Sequence, residues 1–392
     1  MRIALVGCGY VADMYMQTLP GLSGLSLAGA YDHNPDRLRA FCEFHAIPAY
    51  ASMEALLADD SVQMVVNLTN PRSHHAVSRR ALEAGRHVYS EKPLGMTMDE
   101  ARDLVDLARA KGLWLAAAPC NHLSDVVQAM GHLLRTDSAR FGRPLMAQAE
   151  MDDGLVPFLR PETWRSISGA PWPARDEFEV GCTLEHAGYQ ITPLVSLFGP
   201  VRRVTAYSTC LLPDKVRKVG GSVISPDLSV GMLEFDGNVV ARITNSIIAP
   251  SSRTLRVVCE HGVLSMADVW EYHTPLRFSP TGMTLPARLT RKVEKYLSPI
   301  LPGLLLGRRL PVRHGRRVPR TQGGHHMDFS RGVAQLAAQV ARQATVRMDA
   351  ALALHVTEVT LALQDGARSA GGVTMQTDLP HDRMAAPIVP RE

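Results

Sequence analysis

The sequence predicts an α/β protein, and three observations carry that prediction. An apolar run at the N-terminus leads directly into the glycine-rich turn Gly7-Cys8-Gly9-Tyr10-Val11-Ala12 and then into a helix. Apolar strands then alternate with helical segments as far as residue 123, which is typical of a parallel sheet. Beyond that point strands follow one another with few helices between them, which indicates a mostly antiparallel, open sheet. We expect a Rossmann dinucleotide-binding domain over 1–123, a C-terminal α/β domain over 124–379 and a tail over 380–392.

The glycine-rich turn predicts a site for the pyrophosphate of a dinucleotide. Gly7 permits the tight turn, Gly9 lets the backbone approach the phosphates, and Ala12 lets the helix pack closely on the strand. The helix N-terminus then offers unpaired N–H groups to the anion. We expect Tyr10 and Val11, which lie in the same turn, to contact the cofactor as well.

Asp32 ends the second predicted strand, Leu25 to Tyr31, and lies twenty residues after Ala12. A carboxylate at this offset accepts a hydrogen bond from a ribose 2′-hydroxyl and repels a 2′-phosphate. The sequence therefore predicts that NAD is preferred to NADP.

Proline and capping signals around apolar runs predict the other elements of the first domain. Asn34-Pro35 opens a helix, because proline is tolerated at the first helical position. Thr97 and Glu100 form a capping box for a further helix. The other predicted elements are strands at Met64 to Val66, His87 to Ser90 and Leu113 to Ala118, and a helix at Ala76 to Ala84.

The tripeptide Glu91-Lys92-Pro93 follows the fourth predicted strand at its carboxyl end, where open parallel sheets bind ligands. Pro93 restricts the preceding residue to extended geometry, so Lys92 projects from the strand end instead of entering a helix. A lysine in this place is a candidate for holding or protonating a substrate oxygen.

The second domain is predicted from β-branched runs and turn signals. Asp236-Gly237 and His261-Gly262 indicate hairpins, and a helix is expected from Gly181 to Leu197 with a kink at Pro193. Two late helices, Met327 to Arg342 and Asp349 to Ser369, precede a possible edge strand from Gly371 to Asp378. The predicted strands are Pro144 to Met151, Val201 to Ser208, Ser229 to Phe235, Val239 to Ile248, Thr254 to Glu260 and Gly262 to Ala267.

Composition and charge exclude several classes of protein. The chain of 392 residues is 46% hydrophobic and 20% charged, and its six cysteines lack the spacing of a zinc site or a disulfide framework. It shows neither a secretory signal nor an apolar run of about 18 residues, so we expect a cytoplasmic protein. Ten Lys/Arg and one acid fall between Thr281 and Arg320, which indicates a local basic insertion and not a nucleic-acid-binding face.

The combination of GCGYVA, Asp32, the loop Thr69 to His74, AGRHVYSEKPLGM, Trp164-Arg165 and the helix from Gly181 resembles the Gfo/Idh/MocA oxidoreductases over most of the chain. The resemblance implies bound NAD, no metal, and an open C-terminal sheet that often mediates oligomerisation, hence a homodimer or homotetramer. It also implies that Lys92 contacts the reacting hydroxyl or carbonyl. The residues it places around the nicotinamide and its ribose are Thr69, Asn70, His74, Glu91 and Lys92.

The helix GCTLEHAGYQITPLVSLFGP departs from the family pattern, which usually has an Asp followed four residues later by a His that acts as acid/base. Counting back from Phe198-Gly199-Pro200 puts Glu185 and Tyr189 in these places, whereas alignment on Gly188 gives His186 and Gln190.

Oxidation of an alcohol needs a proton acceptor, and a group with a pKa near neutrality is the most effective. Histidine has such a pKa, whereas tyrosine needs a nearby cation to lower its own. We expect a Lys92–Tyr189 pair with His186 close by as the catalytic residues. The alternative is that His186 and Tyr189 only pack.

Substrate contacts are expected from Asn121, Trp164, Arg165 and Glu185. Indole rings stack on sugar faces, and polar groups bind sugar hydroxyls, so a saccharide or polyol is the predicted substrate. We expect an NAD(H)-dependent oxidoreductase acting on a secondary alcohol or ketone. Two alternatives remain, namely redox-neutral NAD-dependent glycoside cleavage by oxidation and elimination, and a non-enzymatic NAD-binding sensor.

Leucines alternate with cations in the basic insertion, in LTRKVEKYLSPILPGLLLGRRLP. This pattern is compatible with contact to a membrane surface or an anionic ligand. Because prolines at 299, 302 and 311 interrupt any long helix, the sequence favours a flexible flap or a subunit contact.

Overall fold

A computed structural model describes residues 1–282, 285–297, 307–342, 344, 346–366 and 371–379. The predicted tail from residue 380 lies outside this set, as do residues 298–306 of the basic insertion and the last residues, 367–369, of the second late helix. Among the described residues, no helix combines the length and the apolar character needed to cross a bilayer.

The first domain is built on strands that alternate with helices. The strands are β1 (Arg2–Val6), β2 (Ser26–Tyr31), β3 (Met64–Asn67), β4 (His87–Ser90) and β5 (Leu115–Ala117). The helices are α1 (Tyr10–Thr18), α2 (Pro35–His45), α3 (Met53–Ala58), α4 (His74–Glu83) and α5 (Met98–Ala110). All strands pair in parallel in the order β2-β1-β3-β4-β5. The strand order reverses between β1 and β3, so the loops after these two strands border the crevice in which such sheets bind ligands.

The second domain is built on a ten-stranded sheet. Its strands are β6 (Pro144–Leu155), β7 (Val201–Thr209), β8 (Leu228–Phe235), β9 (Val239–Ser246), β10 (Ile248–Ser252), β11 (Leu255–Cys259), β12 (Gly262–Met266), β13 (Arg277–Pro280), β14 (Arg308–Arg309) and β15 (Val373–Thr374). Its helices are α6 (Asp125–Thr136), α7 (Ser138–Phe141), α8 (Ala174–Val180), α9 (Cys182–His186), α10 (Gly188–Phe198), α11 (Asp214–Lys218), α12 (Leu285–Leu297), α13 (Arg331–Val340) and α14 (Ala350–Gln364).

This sheet runs in the order β14-β13-β12-β11-β6-β9-β8-β7-β15, and β10 also pairs with β6. Every pair is antiparallel except β6 with β9, so the predicted fold class is confirmed. Burial alternates along β8, where Gly231 and Leu233 face the core while Val230 and Met232 are exposed. One face therefore packs on helices such as α14, and the other face is open.

The predicted helix from Gly181 to Leu197 corresponds to two helices, α9 and α10, that only Ala187 separates. The backbone of Ala187 is itself helical (φ −58°, ψ −34°), and its N–H donates to the Thr183 carbonyl at 2.9 Å. Helix α10 continues through Pro193. A side chain at Gly188 would bring Cβ to 3.1 Å from Cδ of Pro119, so glycine allows α10 to approach the end of β5 closely. Pro193 therefore does not end the helix, and the kink expected there stays a prediction.

The two domains share one apolar core. Tyr15 of α1 packs on Tyr89 of β4 and on Phe329, with ring centroids 6.3 and 5.7 Å apart. Ser330 donates its hydroxyl to the Tyr15 carbonyl, and its N–H donates to Thr18 Oγ1. These contacts hold the residues before α13 in a non-helical path, which explains why this helix begins four residues later than predicted.

The close contact between α13 and β4 predicts that a methyl group added at Gly332 destabilises the fold. A Cβ at Gly332 would lie 2.3 Å from Oη of Tyr89, which is fully buried. We expect Gly332→Ala to lower the free energy of unfolding by about 1–3 kcal/mol, because overpacking outweighs the gain in helix propensity. Urea unfolding measures this, with Gly315→Ala as the control, since no atom lies within 4 Å of a Cβ there. Equal stability of the two variants would contradict the prediction.

Candidate active site

A cleft of about 750 Å³ opens along the carboxyl ends of the first sheet, between the two domains. Gly7 has φ +98°, and a Cβ there would lie 2.6 Å from the carbonyl carbon of Leu68, so only glycine lets the loops after β1 and β3 meet. A Cβ at Gly9, by contrast, would have no neighbour within 4 Å. No side chain caps the N-terminus of α1. This open space lies at the N-terminus of α1, where a helix offers N–H groups to an anion, so it fits a pyrophosphate.

Asp32 is held rigidly at the end of β2. Its Oδ2 accepts a hydrogen bond from the Cys8 N–H and its Oδ1 accepts one from the Asn34 N–H, both at 2.8 Å. The imidazole of His33 lies 3.4 Å from this carboxylate and the guanidinium of Arg37 lies 3.9 Å from it. The fixed carboxylate lines the cleft next to the glycine turn, as the ribose of a dinucleotide requires.

The loop after β3 is ordered by its own polar side chains. Thr69 Oγ1 donates to Asn67 Oδ1 at 2.6 Å, and Asn70 Oδ1 accepts from the Ser73 N–H at 3.1 Å. His74 is fully buried, with Nδ1 2.7 Å from the Pro93 carbonyl oxygen and Nε2 3.0 Å from that of Thr69. Burial lowers the pKa of His74. We conclude that His74 ties this loop to the segment that carries Lys92.

Glu91 links α1 to the same segment. Its Oε1 accepts from the Tyr15 hydroxyl at 2.7 Å, and its Oε2 accepts from the Lys92 N–H at 3.1 Å. The side chains of Tyr15 and Glu91 are both buried. The backbone at Lys92 is therefore fixed from two directions, by His74 through Pro93 and by Glu91.

Lys92 and Glu185 form the contact between the domains at the centre of the cleft. Lys92 Nζ donates to Glu185 Oε2, and the two side chains are 16% and 6% exposed. Burial opposes the charge of Lys92, but the carboxylates around it, Glu185 above all, raise its pKa and keep it a cation. Burial also raises the pKa of Glu185 to about 7, against the opposing influence of Lys92. The pair therefore places a cation beside a carboxyl group that titrates near neutrality.

His186 faces a different carboxylate. Its Nε2 lies 3.1 Å from Glu177 Oε1, both side chains are 8% exposed, and both line the cleft. Burial alone would lower the pKa of His186, but Glu177 reverses the effect and raises it. The Nδ1 atom of His186 is buried, and no hydrogen-bond partner for it is found among the described residues.

Tyr189 does not fit the predicted role of a base activated by Lys92. Its ring packs on Trp270 with centroids 5.1 Å apart, and Lys92 Nζ lies 6.0 Å from the ring centroid. Burial raises the pKa of the Tyr189 hydroxyl well above its ordinary value, although Lys92 acts in the opposite direction. The expected lowering of this pKa is therefore wrong, and Glu185 is the partner of the lysine.

Of the predicted substrate contacts, Trp164 and Glu185 line the cleft, whereas Asn121 and Arg165 are absent from its lining. Asn121 is fully buried and its Nδ2 donates to the Val269 carbonyl at 2.8 Å. Arg165 is exposed, and its guanidinium donates to the carbonyls of Glu162 and Trp164. We therefore do not retain Asn121 and Arg165 as substrate contacts, because the Asn121 amide N–H and the Arg165 guanidinium donate to backbone carbonyls outside the cleft.

No sequence pattern predicts three further residues of the cleft, Arg253, Trp270 and His325. The Arg253 guanidinium carbon lies 4.5 Å from the ring centroid of Trp270, and its Nη2 is 3.2 Å from His325 Nε2. Arg253 also donates to Asp153 at 2.5 Å. These residues come from separate loops of the second domain, so only the tertiary fold brings them together.

Glu271, His273 and His326 form a group that could hold a metal ion. His326 Nδ1 lies 2.8 Å from Glu271 Oε2, and the Val318 N–H donates to His273 Nε2 at 3.3 Å. Because these contacts already use potential ligand atoms, we do not assign a metal to this group.

Comparison with known proteins identifies two family models in the chain. Residues 1–118 match the model described as "Oxidoreductase family, NAD-binding Rossmann fold", and residues 130–265 match the GFO/IDH/MocA C-terminal domain. The trans-1,2-dihydrobenzene-1,2-diol dehydrogenase of Oryctolagus cuniculus is 26% identical over 269 residues, which are 67% of this chain and 74% of that protein. The D-apiose dehydrogenase of Paraburkholderia graminis is 24% identical over 254 residues, 64% of this chain and 62% of that protein.

Solved structures of similar fold include two with small molecules bound. The WlbA dehydrogenase from Bordetella pertussis, in complex with NADH and UDP-GlcNAcA, superposes with a TM-score of 0.71 at 18% identity over 96% of this chain and 98% of its own. The aldose-aldose oxidoreductase from Caulobacter crescentus, complexed with glycerol, gives 0.70 at 18% identity over 96% and 99%. These likenesses show the fold.

The family matches confirm the predicted resemblance, the predicted NAD cofactor and the prediction of an oxidoreductase. The Gly7 turn, the open space at Gly9 and the fixed carboxylate of Asp32 are the features that fit this cofactor. The chain therefore belongs to the Gfo/Idh/MocA family of oxidoreductases with an NAD-binding Rossmann fold.

Proposed function

We propose that the protein transfers hydride between NAD(H) and a secondary alcohol or ketone of a sugar, sugar derivative or polyol. The observation that carries this proposal is the buried Lys92–Glu185 pair in a cleft that also holds the dinucleotide turn. A lysine held as a cation binds the oxygen of a C–OH or C=O group, and its partner has a pKa near neutrality.

The first domain provides the groups that would hold the cofactor. Gly7, Gly9, Tyr10, Val11 and Asp32 line the cleft at one end, and Ala12 packs beneath the turn. When bound, the nicotinamide accepts or supplies hydride at C4. Thr69, Asn70, His74 and Glu91 line the same cleft towards Lys92, where we place the nicotinamide end of the dinucleotide.

We assign the proton to a relay through two side chains of the ion pair. Lys92 donates a hydrogen bond to the substrate oxygen and, during oxidation, receives the hydroxyl proton as it passes one of its own to Glu185. A lysine whose pKa is raised cannot serve as the final proton acceptor at neutral pH. Glu185, with a pKa of about 7, can do so and returns the proton during reduction.

The second domain offers a wall suited to a polyhydroxylated ring. Trp164 and Trp172 pack together with ring centroids 5.1 Å apart, and both line the cleft, as do Trp270 and Asp176. Aromatic faces bind the apolar face of a sugar while carboxylates accept its hydroxyls. The names of the dihydrodiol and apiose dehydrogenases, and the ligands of the two solved relatives, support substrates with neighbouring hydroxyls.

Removal of the Lys92 ammonium tests the proposal. We expect Lys92→Ala to lower kcat/KM at least about 100-fold for whichever member of a panel of sugars, polyols, sugar nucleotides and glycosides is oxidised, followed by NADH absorbance. NADH binding, measured by fluorescence, should remain. Lys111→Ala, at an exposed lysine of the same domain, is the matched control. Undiminished activity of Lys92→Ala would refute the mechanism, and products formed without NADH release would favour redox-neutral cleavage.

The relay predicts a pH profile that depends on direction. Because Glu185 must be deprotonated to accept a proton, kcat/KM for oxidation should rise with pH and level off above about 7, and that for reduction should fall through the same range. Glu185→Gln should remove this titration from both profiles, whereas Glu43→Gln, at an exposed acid of α2, should leave it unchanged. Identical profiles for the unmodified protein and Glu185→Gln would assign the proton to another group.

Asp32 predicts the cofactor preference. We expect the unmodified protein to have a lower KM for NAD than for NADP. Asp32→Ser should shift the ratio towards NADP by about tenfold or more, because Arg37 and His33 remain beside the ribose position without the repelling carboxylate. Asp32→Asn removes the charge but keeps an acceptor for the Cys8 N–H. This variant therefore distinguishes the effect of the negative charge from the effect of side-chain size and hydrogen bonding. A lower KM for NADP in the unmodified protein would overturn the role of Asp32.

A further inference from the structure

We propose that α12 attaches this protein to the surface of a bilayer that contains anionic lipids. The helix follows β13 and precedes β14, which lies at the outer edge of the large sheet. It has thirteen residues, or about 20 Å of length, so it can lie on a membrane but cannot cross one. The proposal does not depend on the substrate of the cleft.

One face of α12 carries large apolar side chains that the protein leaves exposed. Leu285 is 80% exposed, Leu289 is 62% exposed and Tyr296 is 61% exposed. Spacings of four and seven residues bring these three side chains to the same side of a helix. Ala287, which lies on the opposite side, is fully buried. We call Leu285, Leu289 and Tyr296 the apolar stripe, and it points away from the body of the protein.

Cations border the apolar stripe on one side. Lys292, Arg288 and Lys295 lie next to Leu285 on the helical wheel, all on the same side of the stripe, and all three are exposed. Their long side chains can extend around leucines to reach charged headgroups while the leucines enter the apolar region. Arg308 and Arg309 of β14 are exposed on the adjacent sheet edge and extend the basic surface.

The charge and the apolar residues together favour an anionic bilayer over other partners. The sequence from 281 to 320 has ten Lys/Arg and one acid, so a symmetric contact between two copies would bring like charges together. Nucleic acid would match the charge but would leave two exposed leucines without a partner. An anionic bilayer satisfies both features, because it offers negative headgroups above an apolar layer.

Vesicle sedimentation with the full chain tests the proposal. We expect the protein to sediment with vesicles of phosphatidylcholine mixed with phosphatidylglycerol, to bind pure phosphatidylcholine at least about tenfold more weakly, and to lose binding as salt is raised. The triple variant Leu285→Ser/Leu289→Ser/Tyr296→Ser should lower binding to anionic vesicles by about tenfold or more. The variant Arg288→Gln/Lys292→Gln/Lys295→Gln should reduce binding and weaken its dependence on salt.

Matched controls distinguish binding by the apolar stripe from nonspecific binding by exposed apolar side chains. Leu211 and Ile224 lie outside α12 and are 61% and 57% exposed. The variant Leu211→Ser/Ile224→Ser should therefore bind vesicles as the unmodified protein does. Because all of the substituted residues are exposed and outside the cleft, thermal melting and NADH binding should be unchanged in every variant. The proposal is overturned if anionic vesicles do not bind the protein, or if the triple variant binds them equally well. It is also overturned if that variant instead changes the size of the protein on gel filtration, which would identify the stripe as a contact between copies.

Discussion

The buried ion pair between Lys92 and Glu185 is the interaction on which the site depends. Each domain supplies one member, Lys92 from the end of β4 and Glu185 from α9. Neither charge is stable alone in this environment, since removing one partner of a buried pair typically costs about 3–5 kcal/mol. The pair therefore couples the packing of the two domains to the electrostatics of the cleft.

The surrounding structure fixes both members of the pair before any ligand is considered. On one side, His74 contacts the carbonyls of Thr69 and Pro93, while Glu91 accepts from the Lys92 N–H. On the other side, Gly188 allows α10 to approach the end of β5, and α10 follows directly on α9, which carries Glu185. Such a preorganised arrangement needs little rearrangement when charge develops on a substrate oxygen.

Sequence patterns predict the first domain well because its signals are local. A glycine turn, Asp32 at a fixed offset and a proline after Lys92 each constrain the backbone within a few residues, and the strands of the parallel sheet follow from short apolar runs. The partner of Lys92 is not local. The sequence favours Tyr189 as the partner of Lys92, because a nearby cation can lower the pKa of a phenol. Burial of Tyr189 against Trp270 instead raises the pKa of its hydroxyl. Arg253, Trp270 and His325 belong to loops whose meeting depends on the order of strands in the second sheet, and no spacing in the sequence reports that order.

The contact of Glu185 with Lys92 supports, as part of our proposal, one of the two sequence registers for the family pattern. Counting back from Phe198-Gly199-Pro200 puts Glu185 where the resemblance implies an aspartate and Tyr189 where it implies the histidine acid/base, and the structure places Glu185 against Lys92. In this register Tyr189 holds the place of the histidine, and burial raises its pKa, so our proposal gives the proton to another group. Glu185 has one methylene more than aspartate, lies in contact with the lysine and titrates near neutrality. Because Glu185 contacts Lys92, whereas Tyr189 packs on Trp270, we propose the relay through Lys92 and not direct proton transfer to Tyr189.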